Sequence, residues 1–436
     1  MKNRIIFIFL MCFSFGFSQD TPYRFSLKDA IDYGLKNNRT AKNATKDVAA
    51  AQKQKWETIA TGLPQLNGSV NYQNALKRNV FVFGDQIIEA GAKHTLTATA
   101  TLNQKLFDGA YLVGLQSAKV FLEISKNAKE KTDLEVRKAI INAYGNVLLA
   151  EESSSILNKN INVLEKNLTE ITKIYENGFE EEESVEQLKI TLSGVKSNLS
   201  NTNRLKDVAY QMLNLTLGIA IDAKTTLTDN LEDLTAKNIR LEVLNTEEHL
   251  ENNIDYKIAE NEKTAKKLML KLEKSKALPT LNAFVNGGYT ANREVFNFSS
   301  SDAPWFGASV FGVTMNIPIF SSGLRNAATQ RAAIHLEKAE NTLTETEQKL
   351  KLKMASAKSN YQFSIEDYEN KKQNLKLAER IAQKNQAKFF EGIGSSFELR
   401  QAQTQLYAAQ QELLQTMVDV ITTKAELETV LNTINN

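Results

Sequence analysis

The sequence carries an internal repeat with a period of about 214 residues. Three landmarks recur in the same order: residues 63–67 (Leu-Pro-Gln-Leu-Asn) return as 278–282 (Leu-Pro-Thr-Leu-Asn), Phe107 returns as Phe320, and Gly178 returns as Gly392. Because the three offsets agree within two residues, the matches predict two tandem copies of one structural plan. We place the copies at 19–232 and 233–436.

The first 18 residues have the pattern of a secretory signal peptide. Lys2 and Arg4 precede an uncharged run over 5–17 that is rich in Phe, Ile and Leu. This run is too short to cross a bilayer as a helix, and small residues precede the expected cleavage site before Gln19. The chain is therefore predicted to be exported, with residues 1–18 removed.

The composition of the mature chain excludes several kinds of site. Its only cysteine, Cys12, lies in the signal segment, so neither disulfides nor thiolate metal sites are expected. A lipid anchor at Cys12 is disfavoured because Met11 before it is not small. Without Lys2 and Arg4, the 53 basic residues fall to 51, which equals the number of acidic residues. This balance argues against binding nucleic acid.

Two very long stretches of the chain, 109–177 and 324–391, contain no proline. At about 1.5 Å per residue, each would form a helix about 100 Å long, which no compact globular domain needs. Apolar and small residues recur at steps of three and four, the spacing of a coiled-coil seam, within the first stretch and again after Gly392. The seam positions are Ile161, Leu164, Leu168, Ile171 and Tyr175 in the first half, and Leu399, Ala402, Leu406, Ala409, Leu413, Thr416, Val420, Thr423 and Leu427 in the second.

Each half also contains a segment in which the apolar period changes from helical to two, after a helical pattern that covers 26–61 in the first half. The clearest strands are 95–107 and 309–320, and weaker strands begin at Leu66 and Leu281. Each half thus predicts one hairpin with an apolar face and a polar face. No run of the mature chain reaches the roughly 18 apolar residues of a membrane helix, so a membrane-spanning form must use strands.

These features together resemble the outer membrane efflux protein (TolC) family over essentially the whole mature chain. The resemblance rests on the signal peptide, the two helix–hairpin–helix halves, the Leu-Pro-x-Leu junctions and an aromatic-x-x-Gly turn in each half. It implies a mainly α fold with a transmembrane β-barrel: four strands from each protomer of a homotrimer close a twelve-stranded barrel, and the helices form a periplasmic tunnel. The side chains facing outer-membrane lipid would be Leu96, Leu102, Phe311, Val313, Met315 and Ile317.

The resemblance further implies a passive exit duct of a tripartite efflux or type I secretion system in the outer membrane. Its partners would be a periplasmic adaptor protein and an inner-membrane transporter. The turns after Gly178 and Gly392 would form the tip that faces the adaptor and narrows the tunnel. The residues of this predicted entrance are Gly178, Phe179, Glu180, Glu181, Glu182, Glu183, Phe389, Gly392, Ile393, Gly394, Phe397, Glu398 and Gln401.

Two features of these turns bear on gating. Four adjacent carboxylates, 180–183, would give twelve in a trimer and favour cations, although an acidic helix N-terminus stabilised by the helix dipole explains them equally well. Glu398 and Gln401 match family positions that commonly carry pore-facing carboxylates, and Phe389 and Gly394 replace a Tyr and an Arg that close the entrance in some relatives. Three apolar residues could instead form a constriction or an adaptor contact: Phe179, Ile393 and Phe397.

No catalytic, cofactor-binding or metal site is predicted. His94, His249 and His335 are scattered, and the segment 392–397 lacks the third glycine of a dinucleotide loop. We therefore expect no enzyme activity. The main alternative is a soluble periplasmic coiled-coil adaptor or scaffold. Duplicated hairpins with one apolar face argue against it, since adaptors usually carry a single coiled-coil hairpin.

Overall fold

The computed structural model describes residues 23–245, 249–300 and 304–432, and the expected signal peptide lies outside them. The helices are α1 (Leu27–Asn37), α2 (Arg39–Ala60), α3 (Gly109–Glu176), α4 (Glu182–Leu217), α5 (Leu231–Asn238), α6 (Ile254–Ser275), α7 (Leu324–Phe390) and α8 (Ser396–Leu431), with 3-10 turns at Leu241–Asn245 and Leu250–Asn252. The strands are β1 (Tyr23–Phe25), β2 (Gln65–Asn74), β3 (Asn79–Phe83), β4 (Gln86–Ala90), β5 (His94–Phe107), β6 (Thr225–Leu227), β7 (Thr280–Arg293) and β8 (Phe306–Asn316).

The chain forms two compact units. One contains the described residues within 1–45, 129–254 and 347–436, and is referred to below as the helical unit. The other contains Lys46–Ala128 and Asp255–Thr346, and is referred to as the sheet unit. The two predicted proline-free helices are confirmed as α3 and α7.

The sheet unit contains one antiparallel sheet with the strand order β2-β5-β7-β8. Each half of the chain supplies one of its two hairpins, as the period-two pattern predicts. Helix α2 ends just before β2 and α6 just before β7, whereas α3 follows β5 and α7 follows β8. All four helical connections therefore leave from the same end of the sheet, and the segments 75–93 and 294–300 lie at the opposite end. Strands β2 and β8 are its edges.

The two faces of this sheet differ in polarity. Leu66, Leu102, Val285 and Phe311 are paired in register and form one apolar row across all four strands. The end members of this row, on β2 and β8, are each 71% exposed. On the other face, hydroxyl and amide side chains bond across the strands. Examples are Ser69 Oγ with Thr99 Oγ1 (2.7 Å), Thr95 Oγ1 with Asn292 Oδ1 (3.0 Å) and Asn286 Nδ2 with Thr101 Oγ1 (3.1 Å).

The sheet differs from the prediction at two places. Strand β8 ends at Asn316, not at Phe320, so Ile317 lies beyond the strand that was expected to hold it. Pro318 has no N–H to donate to a ladder, and the Arg325 guanidinium binds its carbonyl oxygen at 2.8 Å instead. In addition, the connection between β2 and β5, where the period-two pattern indicates no strand, contains the antiparallel hairpin β3–β4.

The core of the helical unit is anchored by two fully buried tyrosines, one from each half. The Tyr144 hydroxyl on α3 lies 3.1 Å from Phe25 O and 2.9 Å from the Asp229 carboxylate, the two acceptors for its single proton, and burial raises the pKa of this hydroxyl. The Tyr361 hydroxyl on α7 donates to Asn238 O (2.6 Å). Tyr144 and Tyr361 are 217 residues apart, close to the repeat period. In each half, a tyrosine of the long helix therefore hydrogen-bonds a segment outside the long helices.

A second duplicated contact joins these segments to the ends of α4 and α8. The Asn38 side-chain amide donates to Thr216 O, and the Asn253 side-chain amide donates to Val430 O, both at 2.7 Å. Asn38 also breaks the predicted helix over 26–61 in two: its backbone N–H caps the end of α1, while its side-chain oxygen accepts from the N–H of Thr40 at the start of α2.

The predicted coiled-coil seam is largely confirmed by burial. Ile161, Leu164 and Ile171 are buried, and Leu168 packs against the same cluster. Most of the second seam, from Leu399 to Leu427, is buried or half-buried. Tyr175 is an exception, because it lies at the last turn of α3 and is exposed. Among the described residues, no helix is long and apolar enough to cross a membrane.

Candidate functional site at the two helix turns

The two predicted entrance turns share one backbone geometry. After α3, Gly178 has a φ of 76°, its N–H donates to Tyr175 O (2.8 Å), and the next N–H donates to Ile174 O (3.1 Å). After α7, Gly392 has a φ of 75°, with the equivalent bonds to Phe389 O and Lys388 O, both at 3.0 Å. Both turns are Schellman motifs, in which a left-handed residue lets the chain cap the last carbonyls of a helix. This requirement explains the repeated glycine.

The helices that follow the turns begin differently. Helix α8 starts with a capping box: Ser395 Oγ accepts from the N–H of Glu398 (3.2 Å), and the Glu398 carboxylate accepts from the N–H of Ser395 (3.3 Å). Helix α4 has Glu181 at the N-cap, with no side-chain hydrogen bond. The carboxylate of Glu398 thus closes a helix terminus, which is a sufficient structural reason for an acid at this position.

The carboxylates 180–183 lie at the N-terminus of α4. Glu180 is half-buried and accepts a hydrogen bond from Ser184 Oγ at 2.6 Å, while the next three glutamates are exposed. The Glu183 carboxylate accepts from Gln187 Nε2 at 2.5 Å. The helix dipole favours all four carboxylates, and the three exposed ones, 181–183, are in contact with solvent and can act on its ions. The acidic cluster thus fits both a helix N-terminus and a source of negative charge at the turn.

The apolar residues of the turns divide into a buried and an exposed set. Phe389 is 5% exposed and packs in the core of the hairpins, with its ring centroid 5.4 Å from that of Phe390. Phe179, Ile393 and Phe397 are 82%, 73% and 60% exposed. The Arg400 guanidinium lies 5.5 Å from the centroid of the Phe397 ring. Gln401 is exposed, and Gly394 donates its N–H to Lys388 O at 3.1 Å.

The turns of the two halves lie side by side in the helical unit. Ser184 Oγ, at the start of α4, is 2.8 Å from Ser396 Oγ at the start of α8. Next to this contact, Gln403 is 4% exposed, and its Oε1 has no partner among the described residues. The structure therefore brings the predicted residues 178–183 and 392–401 into one region.

Sequence reasoning missed a set of polar contacts between the two helical hairpins. Asn160 Nδ2 donates to Gln410 Oε1 (2.9 Å), and Gln386 Nε2 donates to the buried Asn167 Oδ1 (3.1 Å). Ser153 Oγ reaches the side chain of Gln411 at 3.4 Å. The sequence does indicate these contacts, because the polar residues Ser153, Asn160 and Asn167 recur every seven positions beside the predicted seam.

A groove of about 540 Å³ lies beside this polar row, between α3, α4 and α8. Most of its lining residues carry an amide or a hydroxyl group, although apolar atoms make up more of its exposed surface, and Gly194 leaves open space where a side chain would stand. The lining residues include Asn160, Asn198, Asn201, Thr404, Tyr407 and Gln411. Burial raises the pKa of the Tyr407 hydroxyl to about 12.

Solved structures of outer-membrane channels share the fold of the chain. The CusC transmembrane channel aligns with a TM-score of 0.77 and 20% identity, over 93% of this chain and 92% of that one. The outer membrane protein VceC of Vibrio cholerae gives 0.75 and 16% over 93% and 95%, and the CmeC outer membrane channel of Campylobacter jejuni gives 0.75 and 15% over 93% and 85%. At this level of identity the likeness concerns the fold.

No curated protein sequence matches the chain. The family model described as outer membrane efflux protein matches residues 30–219 and 246–433, one segment in each half and together most of the chain. The chain belongs to the outer membrane efflux protein family.

Proposed function

We propose that the chain assembles as a homotrimer and forms a passive exit duct, through which a pump in the inner membrane delivers its cargo to the exterior. Location in the outer membrane, with helices in the periplasm, and a role in efflux follow from the family. Trimeric closure, the partners and the entrance residues are the proposal. The division of the chain at 19–232 and 233–436 is likewise proposed.

The observation that carries the proposal is the four-stranded sheet with one exposed apolar face. Leu66, Leu102 and Phe311 expose hydrocarbon on that face, whereas hydroxyl and amide groups cover the other. An apolar outside and a polar inside are what a membrane barrel with an aqueous lumen requires. Strands β2 and β8 have open edges, and unpaired backbone groups in lipid cost several kcal/mol each. Three copies, with β8 of one beside β2 of the next, would close twelve strands.

In this arrangement the two helix turns form the periplasmic entrance. The exposed glutamates beside Gly178 supply negative charge to the opening, and the exposed Phe179, Ile393 and Phe397 supply an apolar rim or a contact for the adaptor. The polar groove between α3, α4 and α8 offers hydrogen-bonding groups to an adaptor helix. An inner-membrane transporter would provide the energy and select the cargo.

A duct of this kind performs no chemistry, and we propose that the chain is not an enzyme. A soluble periplasmic adaptor, the alternative from sequence, is not favoured, because the family match extends over both halves of the chain.

The experiment that tests the proposal combines the mass of the detergent-purified protein with conductance in planar bilayers. We expect three copies per particle and ion-conducting channels. A monomer in the detergent-free soluble fraction, without channel activity, would refute the duct.

A further inference from the structure

The hairpin β3–β4 belongs neither to the four-stranded sheet nor to the two helix turns. It is part of the loop 75–93, at the end of the sheet opposite the helices, and follows the edge strand β2 after four residues. Its turn contains Gly84, with a φ of 60°. An ion pair between Arg78 and Glu294 ties the base of the hairpin to the loop that joins β7 and β8. With the helices in the periplasm, this end of the sheet faces the exterior.

Large apolar side chains lie on both faces of the hairpin, and Glu89, opposite Val80, is the one charged side chain in its two strands. Phe81 pairs with Ile88 on one face, and Val82 pairs with Ile87 on the other. The hairpin contains six large apolar side chains, each between 47% and 72% exposed: Val80, Phe81, Val82, Phe83, Ile87 and Ile88. A hairpin that lies on one apolar surface buries one face and keeps the other polar. Two apolar faces therefore require a covering surface on each side.

We propose that this hairpin is a contact surface between copies of the chain, packed head-to-tail between the hairpins of the two other copies. The inference rests on the proposed trimer. In a cyclic assembly each subunit presents one patch to the preceding copy and a different patch to the next, so two distinct apolar faces fit this symmetry. A hairpin resting on lipid would need only one.

The position of the hairpin leads to the same partner. Strand β2, which precedes it, is the edge that barrel closure would present to a neighbouring copy. The hairpin consequently leaves the sheet at the boundary between copies. Three such hairpins would gather apolar side chains over the outer mouth of the channel and hold the trimer together there.

Cysteine cross-linking tests this contact cleanly, because the mature chain is expected to contain no cysteine of its own. Two double variants carry one cysteine on each face: Phe81→Cys with Val82→Cys, and Phe83→Cys with Val82→Cys. Disulfides need Cβ atoms about 3.5–4.5 Å apart, so oxidation reports direct contact. We expect at least one double variant to give covalent dimers and trimers, and each single variant to remain monomeric on denaturing gels. The control pair is Asn297→Cys with Ser299→Cys, exposed in the other loop at the same end of the sheet.

The mass of each variant in detergent separates the possible failures. If the particles are trimers but neither double variant cross-links more than the control pair, the hairpin contact is wrong and the duct stands. If the hairpin cysteines are also shielded from a water-soluble maleimide in vesicles, lipid covers the hairpin, and the contact is again wrong. If no trimer forms, the proposed function fails and the contact fails with it.

Discussion

The turn after α3 and the turn after α7 have the same backbone conformation, but the helices that follow them begin differently. Gly178 and Gly392 occupy the same left-handed conformation and close the same Schellman hydrogen bonds. After that point, the second turn uses its nearby acid, Glu398, to complete a capping box, whereas the first leaves three exposed carboxylates around an uncapped N-terminus. The repeat thus preserves the part that bends the chain and lets the electrostatics diverge. The divergent part is where a functional difference between the two turns should be sought.

The largest effect is expected from replacing either glycine by valine. A β-branched residue is strained in the left-handed region, so we expect Gly178→Val and Gly392→Val each to destabilise its turn by about 2 kcal/mol or more. Hydrogen exchange of the amides in 177–184 and 391–398 measures this, and a weakened turn at 392 should also weaken adaptor binding and drug resistance. For hydrogen exchange the matched control is Gly194→Ala within α4, where the added methyl meets open space and should leave the exchange of both turns unchanged. Wild-type exchange rates in both valine variants would contradict the inference that both turns require a glycine in the left-handed conformation.

A smaller and asymmetric effect is expected at the two N-caps. Ser395→Ala removes the acceptor for the Glu398 N–H and should cost about 1 kcal/mol at the start of α8. Glu181→Ala removes no capping bond and should leave the start of α4 almost unchanged. Equal increases in exchange at both helix starts would contradict the difference between the turns.

The smallest effect is expected from the charges, because water and salt screen exposed carboxylates. Replacing Glu180 to Glu183 by Gln should lower cation selectivity, or block by multivalent cations, in planar-bilayer recordings. The comparison variant replaces Glu391 and Glu398 by Gln at the second turn. Gln at 398 keeps a side chain suited to the capping box, and we expect a smaller change in selectivity than in the fourfold variant. Unchanged selectivity in the fourfold variant would show that the glutamates 180–183 take no part in ion conduction.

The sequence predicts the elements with a strong period and misses those that depend on single contacts. Period two along 95–107 predicts β5, because alternate side chains of a strand lie on the same face. The absence of proline over 109–177 predicts α3, because proline would interrupt a long helix. The break at Asn38 is set by one side chain that bonds the distant Thr216 carbonyl, which no local pattern encodes. The segments 35–38 (Leu-Lys-Asn-Asn) and 250–253 (Leu-Glu-Asn-Asn) are a further repeat that would have revealed both asparagines.

The hairpin β3–β4 was missed for a different reason. Its strands are five residues long and apolar on both faces, so they lack the alternation by which a half-buried strand is recognised. At the proposed entrance, sequence spacing located both turns. The polar contacts between the hairpins involve residues some 220–260 positions apart, such as Asn160 with Gln410, and only the fold brings them together.

In the proposed barrel, one face of the sheet lies in lipid and the other lines water. A single-cysteine scan along β5, with the trimer in lipid vesicles and a membrane-impermeant maleimide, tests it directly. We predict that cysteines at 95, 97, 99 and 101 are labelled and that those at 96, 98, 100 and 102 are protected. Equal labelling at both sets of positions would contradict the barrel, and the proposed duct with it.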